Sequence, residues 1–550
     1  MARSFNLFDS DSLKDFHKRI FFSMLLFLFV YFVAIYRITE IMLFNGLDDN
    51  ELIIENKLER GKIFDRNGIL LATTVKSYSL SVDPKTIKNK SLLAKNLSEI
   101  LKVEKDFILK DLNNQNKNYW IKRNITPKEH QKIIDLGEIN LRIHEERKRI
   151  YPYSNSSSHI VGYVDIDGKG LSGIERSFDS TLNESKNIYL SIDINLQQAV
   201  REKLDDTIQT YEAESGLAIL LDIKSSQIIS SVSLPDFNPN NRKTFLKENL
   251  INRVFQSNYE MGSTFKPLTV AMGYDKDIIS PEMKFDVTKE IRGISDYLEY
   301  EEDGIYNPEK IIIKSSNIGT AKIASLIGKK NQKNFFNKVG FSKKLNVEIL
   351  ESVEPLGNKN HWGEVETMTI GYGHGFAVTP LHLVKAYASL SNEGYEIKPS
   401  IILNNDQQKQ SQILLKKETS KYFLNLLRSV VLKTKFTGPR VKIDGYDIGG
   451  KTGTSMMVNK KGGYHKHKDI TSFIGVFPIK NPQYVVLTII EYPKEIKKLK
   501  NKTTGAWVNA PLVKDIILEM IKILNIPKNF SEEILNADIK YMYKSKNAAF

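Results

Sequence analysis

The 550-residue chain has no cysteine, which excludes disulfides and thiolate metal sites but leaves the compartment open, because an exported protein can fold without them. Its nine histidines show no paired metal-ligand spacing such as His-Glu-x-x-His. His465 and His467 are near neighbours in a Lys- and Gly-rich stretch, where histidines are more often solvated than coordinating. We therefore expect no metal and no cofactor. No small-x-small cleavage site follows the apolar run near the N-terminus, so that run reads as a retained anchor and not as a removed signal. A concentrated basic segment is also missing. The net charge of +14 and pI near 9.2 would suit an acidic partner, but the lysines are spread widely, and no nucleic-acid partner is expected.

Length points to more than one domain, at roughly 150 residues each, and 41% hydrophobic residues suffice for a sizeable core. Between Arg19 and Arg37 lie seventeen uncharged residues, Ile20 to Tyr36, rich in Phe, Leu, Ile and Val. A helix of that length covers about 26 Å, a little short of a ~30 Å hydrocarbon core, and the two flanking arginines can snorkel to close the gap. Arg3, Lys14, Lys18 and Arg19 precede the run, whereas Asp48 to Glu55 is acidic. The positive-inside rule places the N-terminus in the cytoplasm and the body outside. We expect a cytoplasmic tail at 1–19 and a transmembrane anchor at 20–43.

Further along, Tyr259-Glu260-Met261-Gly262-Ser263-Thr264-Phe265-Lys266-Pro267 carries candidate chemistry. Gly262 allows a tight turn, and Pro267 fits only the first turn of a helix, so a helix is expected from about Ser263. Ser263 and Lys266 then share a face, where a lysine kept neutral by burial and a second cation could take the serine proton. Taken alone, the pair is better explained as a capped helix with a surface lysine. Downstream, Ser315-Ser316-Asn317 follows the apolar run Ile311 to Ile313, and Lys451-Thr452-Gly453-Thr454 follows Gly449 and Gly450. Ser-x-Asn by itself is uninformative, since Ser185-Lys186-Asn187 and Ser545-Lys546-Asn547 match it too.

The order Ser-x-x-Lys, Ser-x-Asn, Lys-Thr-Gly resembles the signature set of penicillin-binding proteins and serine β-lactamases. Arg60-Gly61 to Ala72, a hairpin by its Asp65-Arg66-Asn67-Gly68 turn, is similar to the first pedestal motif of class B penicillin-binding proteins. Arg149, Tyr151, Pro152, His159, Gly162 and Tyr163 look like later pedestal motifs, as does Asp167 to Glu175, which is closest to the septal type. Gly371-Tyr372-Gly373, Thr379-Pro380-Leu381 and Gly505 to Pro511 also resemble family segments, though Trp507 and Asn509 depart from the commonest form. We read these three as packing features. We expect Arg60, Asp65 and Glu175 to join interdomain ion pairs, and residues 86–146 to form a small subdomain facing a partner.

The resemblance implies an α+β protein with the penicillin-recognising serine transferase fold, an antiparallel sheet flanked by helices. Strands are expected at Gly216–Leu221, Gln227–Val232, Thr471–Phe477 and Tyr484–Glu491, early and late strands sharing one sheet, with helices from Ile194 and over Leu383–Leu390. A β-rich pedestal at 44–186 precedes a transpeptidase domain at 187–525, and a tail follows at 526–550. The implied activity is a serine D,D-transpeptidase that cross-links peptidoglycan stem peptides during septal wall synthesis and is the target of β-lactams. Ser263 is the implied nucleophile and Lys266 its base. Ser315 relays a proton, Asn317 orients Lys266, and Lys451 holds the substrate carboxylate, with Ser316, Thr452, Gly453 and Thr454 as substrate-binding residues. No Glu-Asp-x-x-Phe glycosyltransferase motif is present. Glycan polymerisation from the lipid-linked precursor therefore falls to a partner, by resemblance a SEDS-type (FtsW-like) glycosyltransferase among other divisome membrane proteins, at the cytoplasmic (inner) membrane with the catalytic domain extracytoplasmic. An elongation-type transpeptidase, a D,D-carboxypeptidase or β-lactamase, and an inactive divisome scaffold are the alternatives.

Overall fold

The computed structural model describes residues 10–40, 59–113, 119–296, 303–357, 362–403, 412–458, 464–496 and 502–528. The chain divides into two units at residues 58 and 59. In the first, α1 (Ser10–Glu40) begins ten residues before the expected anchor, because the polar residues ahead of the apolar run extend the same helix. Its stretch Phe16–Glu40 is long and apolar enough to cross a membrane and is exposed all round. Residues 41–43, expected inside the anchor, and the acidic segment 48–55 lie outside the described residues.

The second unit opens with the expected hairpin, β1 (Ile63–Phe64) and β2 (Leu70–Val82), paired antiparallel. Asp65 Oδ1 closes its turn by accepting from the N–H groups of Asn67 (2.8 Å) and Ile69 (2.7 Å). Then come α2 (Lys90–Leu101), α3 (Lys105–Asn113), β3 (Tyr119–Ile125), α4 (Pro127–Asp135) and β4 (Leu141–Ile150), with β3 and β4 flanking β2. These helices cover one face of the small sheet around a core of Leu93, Leu97, Leu101, Ile108 and Leu112 that residues 86–146 share with Leu80 of β2.

Of the residues expected in interdomain ion pairs, Arg60 and Glu175 pair within the pedestal, and Asp65 binds backbone N–H groups instead. Glu175, in the short α6 (Gly173–Ser177) after α5 (Ser158–Val161), is fully buried and accepts from Arg60 Nε (2.8 Å) and Arg149 Nε (2.7 Å). Arg60 also reaches Asp179 (2.8 Å) in α7 (Asp179–Asn183). The cluster therefore knits the pedestal to itself. The contact to the catalytic part is made instead by the hairpin turn. Asp65 Oδ2 accepts from the Ile194 N–H (3.2 Å), and Asn67 Nδ2 donates to Asp193 (2.9 Å), so the turn sits on the N-terminus of α8 (Ile194–Thr210). There Asp193 caps the helix by accepting from the N–H groups of Asn195 and Leu196. Just before it, β5 (Ile188–Tyr189) runs parallel to β1, so this strand belongs to the pedestal sheet although it follows residue 187.

The main sheet has the order β13 (Gly449–Val458), β14 (Tyr464–Phe477), β15 (Tyr484–Glu491), β6 (Ser215–Asp222), β7 (Gln227–Leu234), every neighbour antiparallel. Early and late strands thus share one sheet, as expected. Strands β15, β6 and β7 are almost wholly buried because both faces are covered, which is why β15 and β6 read as nearly continuous apolar runs. One face packs on α8, on α16 (Thr437–Val441) and on α17 (Asn509–Ile523). The other meets a helical layer that follows α9 (Arg253–Gln256) and β8 (Tyr259–Glu260) and begins with α10 (Lys266–Asp275). After the small pair β9 (Phe285–Asp286) and β10 (Ile305–Tyr306) come α11 (Pro308–Lys314) and α12 (Asn317–Val339), the latter broken at Gly328. Next are β11 (Leu356–Gly357), α13 (Glu364–Gly371), β12 (Phe376–Val378), α14 (Pro380–Ser391) and α15 (Lys417–Lys433). Ile526 is buried in the core around α17, so the body continues past residue 525; residues 529–550 of the expected tail lie outside the described residues.

Candidate active site

The site forms where the helical layer meets the edge strand β13. The segment Met261-Gly262-Ser263 leaves β8, which pairs with β12, and turns sharply. Gly262 has φ +52, donates its N–H to the Gly373 carbonyl (3.1 Å), and lies so close to β13 that an added Cβ would be 2.7 Å from the Thr454 carbonyl oxygen. The α-helix starts at Lys266, three residues later than expected, because Gly262–Phe265 is a 3₁₀ turn. Pro267 then occupies the helix start, as its missing N–H requires. Thr264 is tied on both sides of this turn: its hydroxyl donates to the Met261 carbonyl (2.8 Å), and its own carbonyl accepts from the buried Tyr387 hydroxyl (2.6 Å).

A second turn faces the first. α11 ends at Ser315, which adopts the left-handed conformation (φ 59, ψ 39), an uncommon state for a residue with a side chain. Ser316 caps the next helix, its hydroxyl accepting from the Gly319 N–H (2.9 Å). This abrupt helix-to-helix joint delivers Ser315 and Asn317 together. Ser315 Oγ donates to Ser263 Oγ (3.0 Å) and accepts from Lys266 Nζ (3.2 Å) and Lys451 Nζ (3.1 Å). Lys266 Nζ also donates to Asn317 Oδ1 (2.7 Å) and to the Ser315 carbonyl. Ser263, Lys266, Ser315, Asn317 and Lys451 thus form one hydrogen-bonded cluster drawn from three distant parts of the chain. Ser315 is its hub: Lys266 reaches the Ser263 hydroxyl through it.

Both amines are almost completely buried, at 1% and 2% exposure. Loss of hydration pushes Lys266 well below the ordinary amine range, and the Lys451 charge pushes the same way. Burial pushes Lys451 down to about 8, so near neutrality it keeps its proton. Both pushes favour the neutral, proton-accepting form of Lys266, while Lys451 is the amine that keeps its charge near neutrality.

Two of the expected substrate-binding residues, Gly453 and Ser316, depart from expectation. Alternation along β13 puts Lys451 and Gly453 on one face and Thr452 and Thr454 on the other. At Gly453 a Cβ would lie 2.3 Å from Ser472 Oγ and 2.9 Å from the Met261 carbonyl. The glycine is required by the serine turn packed against the strand, and not only by a substrate lying along it. Gly453→Ala is expected to push β13 off that turn and slow acylation by a penicillin by more than about tenfold. Rates measured on protein with an unchanged melting curve would check this, and wild-type rates would contradict it. Ser316 is the second departure. Expected to bind substrate, it is 2% exposed and its hydroxyl donates to Asp296 (2.6 Å) while capping α12, so it is committed to the fold. Asp296 and Tyr387 carried no motif and went unnoticed in the sequence; both act through tertiary contacts that no local spacing announces.

Both the pedestal and the catalytic part resemble known proteins. Residues 216–518 match the family described as penicillin binding protein transpeptidase domain, and residues 55–216 match the penicillin-binding protein dimerisation domain. The chain is 29% identical over 507 residues to a probable peptidoglycan D,D-transpeptidase FtsI of Caulobacter vibrioides, covering 86% of this chain and 85% of the relative. It is 28% identical to a probable peptidoglycan D,D-transpeptidase PenA of Neisseria meningitidis, covering 87% of each. To the peptidoglycan D,D-transpeptidase FtsI of Escherichia coli it is 26% identical, over 85% and 84% of the two chains. The crystal structure of a peptidoglycan synthetase from Bifidobacterium adolescentis shares the fold, with a TM-score of 0.67 at 20% identity, covering 86% of this chain and 97% of that one.

Proposed function

The chain belongs to the class B penicillin-binding proteins, and from that membership we propose that it is the peptidoglycan D,D-transpeptidase of septal wall synthesis. The observation that carries this reading is the cluster in which one serine hydroxyl links the Ser263 hydroxyl to a buried amine with a depressed pKa and to a second, protonated amine. The relatives named as peptidoglycan D,D-transpeptidases FtsI extend over pedestal and catalytic parts alike.

In this reading Ser263 Oγ attacks the carbonyl carbon between the two terminal D-alanines of a stem peptide. Its proton passes to neutral Lys266, directly or through Ser315, and the carbonyl oxygen becomes an oxyanion. The N–H groups of Ser263 and Thr454 are the donors we assign to it; losing one such donor typically costs roughly 3 kcal/mol of transition-state stabilisation. Collapse breaks the peptide C–N bond. Ser315 passes a proton to the departing D-alanine amine, and the acyl chain stays on Ser263. An amine of a neighbouring stem then attacks the ester, completing the cross-link and restoring the serine. Asn317 holds Lys266 and bonds the substrate peptide, while the Thr452 and Thr454 hydroxyls receive the terminal carboxylate in the field of the Lys451 charge. β-Lactams carry an equivalent carbonyl and carboxylate and remain at the acyl stage.

The apolar helix fits a single-pass anchor. The excess of Lys and Arg ahead of it supports a cytoplasmic N-terminus and an extracytoplasmic body at the inner membrane. A pedestal without glycosyltransferase motifs supports a separate polymerising partner of the SEDS type. Two experiments test the reading. Purified protein given lipid-linked precursor and a polymerising glycosyltransferase should produce cross-linked dimers that a penicillin abolishes, and a fluorescent fusion should gather at mid-cell. Uncross-linked product, or rapid release of hydrolysed penicillin, would overturn it.

A pH dependence follows from Lys451. The amine is a cation below about 8 and loses its charge above it, so the saturation constant for a carboxylate-bearing penicillin should rise as pH increases through that value. A saturation constant that stays flat or falls over the same interval would remove Lys451 from carboxylate binding.

A further inference from the structure

One carboxylate outside the assigned residues is built into the cluster. Asp296 lies on the loop that follows Ile294, and it holds the Ser315–Asn317 turn from outside. Its Oδ2 accepts from Ser316 Oγ (2.6 Å) and its Oδ1 accepts from the Ile318 N–H (2.9 Å). The adjacent Ser295 carbonyl accepts from Asn317 Nδ2 (3.1 Å). That last bond fixes which end of the Asn317 amide faces inward: with one N–H of its NH₂ held by Ser295 and the second N–H still available to a substrate, the oxygen is turned to Lys266. Two consecutive loop residues therefore clamp the element that carries the hub serine and the amide holding the base.

We propose that Asp296 is a positioning residue for the transpeptidase reaction, which locks the Ser315–Asn317 turn in register with Lys266 and sets its negative charge against that buried amine. Around Lys266, the α11–α12 turn contributes the neutral Ser315 and Asn317, β13 contributes the cation Lys451, and the loop contributes the anion Asp296. Burial and Lys451 both favour the neutral amine, and Asp296 opposes them. Removing the Asp296 charge therefore lowers the Lys266 pKa further and keeps the base neutral to lower pH. Removing its hydrogen bonds instead loosens the turn. The two effects separate in two variants. Asn at this position can accept from the Ile318 N–H and donate to Ser316 Oγ, so it keeps the links without the charge; Ala loses both.

This inference rests on Lys266 being the base of the proposed reaction. The test is the second-order acylation rate of the full-length protein in detergent by a fluorescent penicillin, followed across pH. Asp296→Asn should move the acid limb of the profile to lower pH by about one unit, a relative gain of about tenfold at a pH on that limb. Asp296→Ala should lower the plateau at least about tenfold. An acid limb that stays in place or moves upward in the Asn variant, or a wild-type plateau in the Ala variant, overturns the inference. Failure of the underlying reading looks different: the wild-type adduct would then map away from Ser263.

Discussion

Lys266→Met is expected to slow penicillin acylation by about a thousandfold, the middle of the range for losing a general base. Methionine has a similar length and volume and suits a site that is 1% exposed, so the substitution removes the amine without opening a large void. What is lost is the proton acceptor that burial and the Lys451 charge keep neutral, together with the hydrogen bonds to Ser315 and Asn317. The melting temperature should stay close to that of the wild type, because no buried carboxylate is left unpaired: Asn317 and Ser315 are neutral partners. Stopped-flow or quenched acylation beside a thermal melt reads both quantities. A rate within about tenfold of wild type would give the base role to another group, with Ser315 the first candidate.

The second large effect concerns stability and lies far along the chain from the serine. Glu175→Ala is expected to cost about 3–5 kcal/mol, the typical result of removing one partner from a buried ion pair. Glu175 is fully buried and is the shared acceptor for Arg60 and Arg149, themselves 7% and 8% exposed. Arg60 would retain Asp179 and Asn183, but Arg149 would be left with only Thr74 and the Arg60 carbonyl to offset a desolvated guanidinium. A marked fall in melting temperature and faster proteolysis within the pedestal are the expected readouts. A melting curve superimposed on the wild type would show that water already compensates these arginines.

Much of the architecture was legible because it is written in local patterns. The strands β6, β7, β14 and β15 announced themselves as short apolar runs between turn residues, and their place in one sheet came with the family resemblance. Asp65-Arg66-Asn67-Gly68 between apolar residues marked a hairpin by turn chemistry alone. The ordered motifs brought together Ser263, Lys266, Ser315, Asn317 and Lys451. What stayed hidden depends on which surfaces meet. Nothing near Gly453 says that its missing side chain makes room for Met261, which precedes it by nearly two hundred residues. Ser316 sits between two cluster residues in the sequence, yet the left-handed turn at Ser315 makes it a buried cap. Charge complementarity suggested that Arg60, Asp65 and Glu175 would find partners, but sequence cannot say on which side of a domain boundary they do. Asp296 precedes the motif it clamps by about twenty residues and belongs to no recognisable pattern.

The most direct measurement is the site of the covalent adduct. Full-length protein treated with a penicillin, digested and mapped by mass spectrometry should carry the acyl group on the peptide containing Ser263, and Ser263→Ala protein with an unchanged melting curve should carry none. An adduct on any other residue, or undiminished labelling of the variant, would contradict the account at its centre.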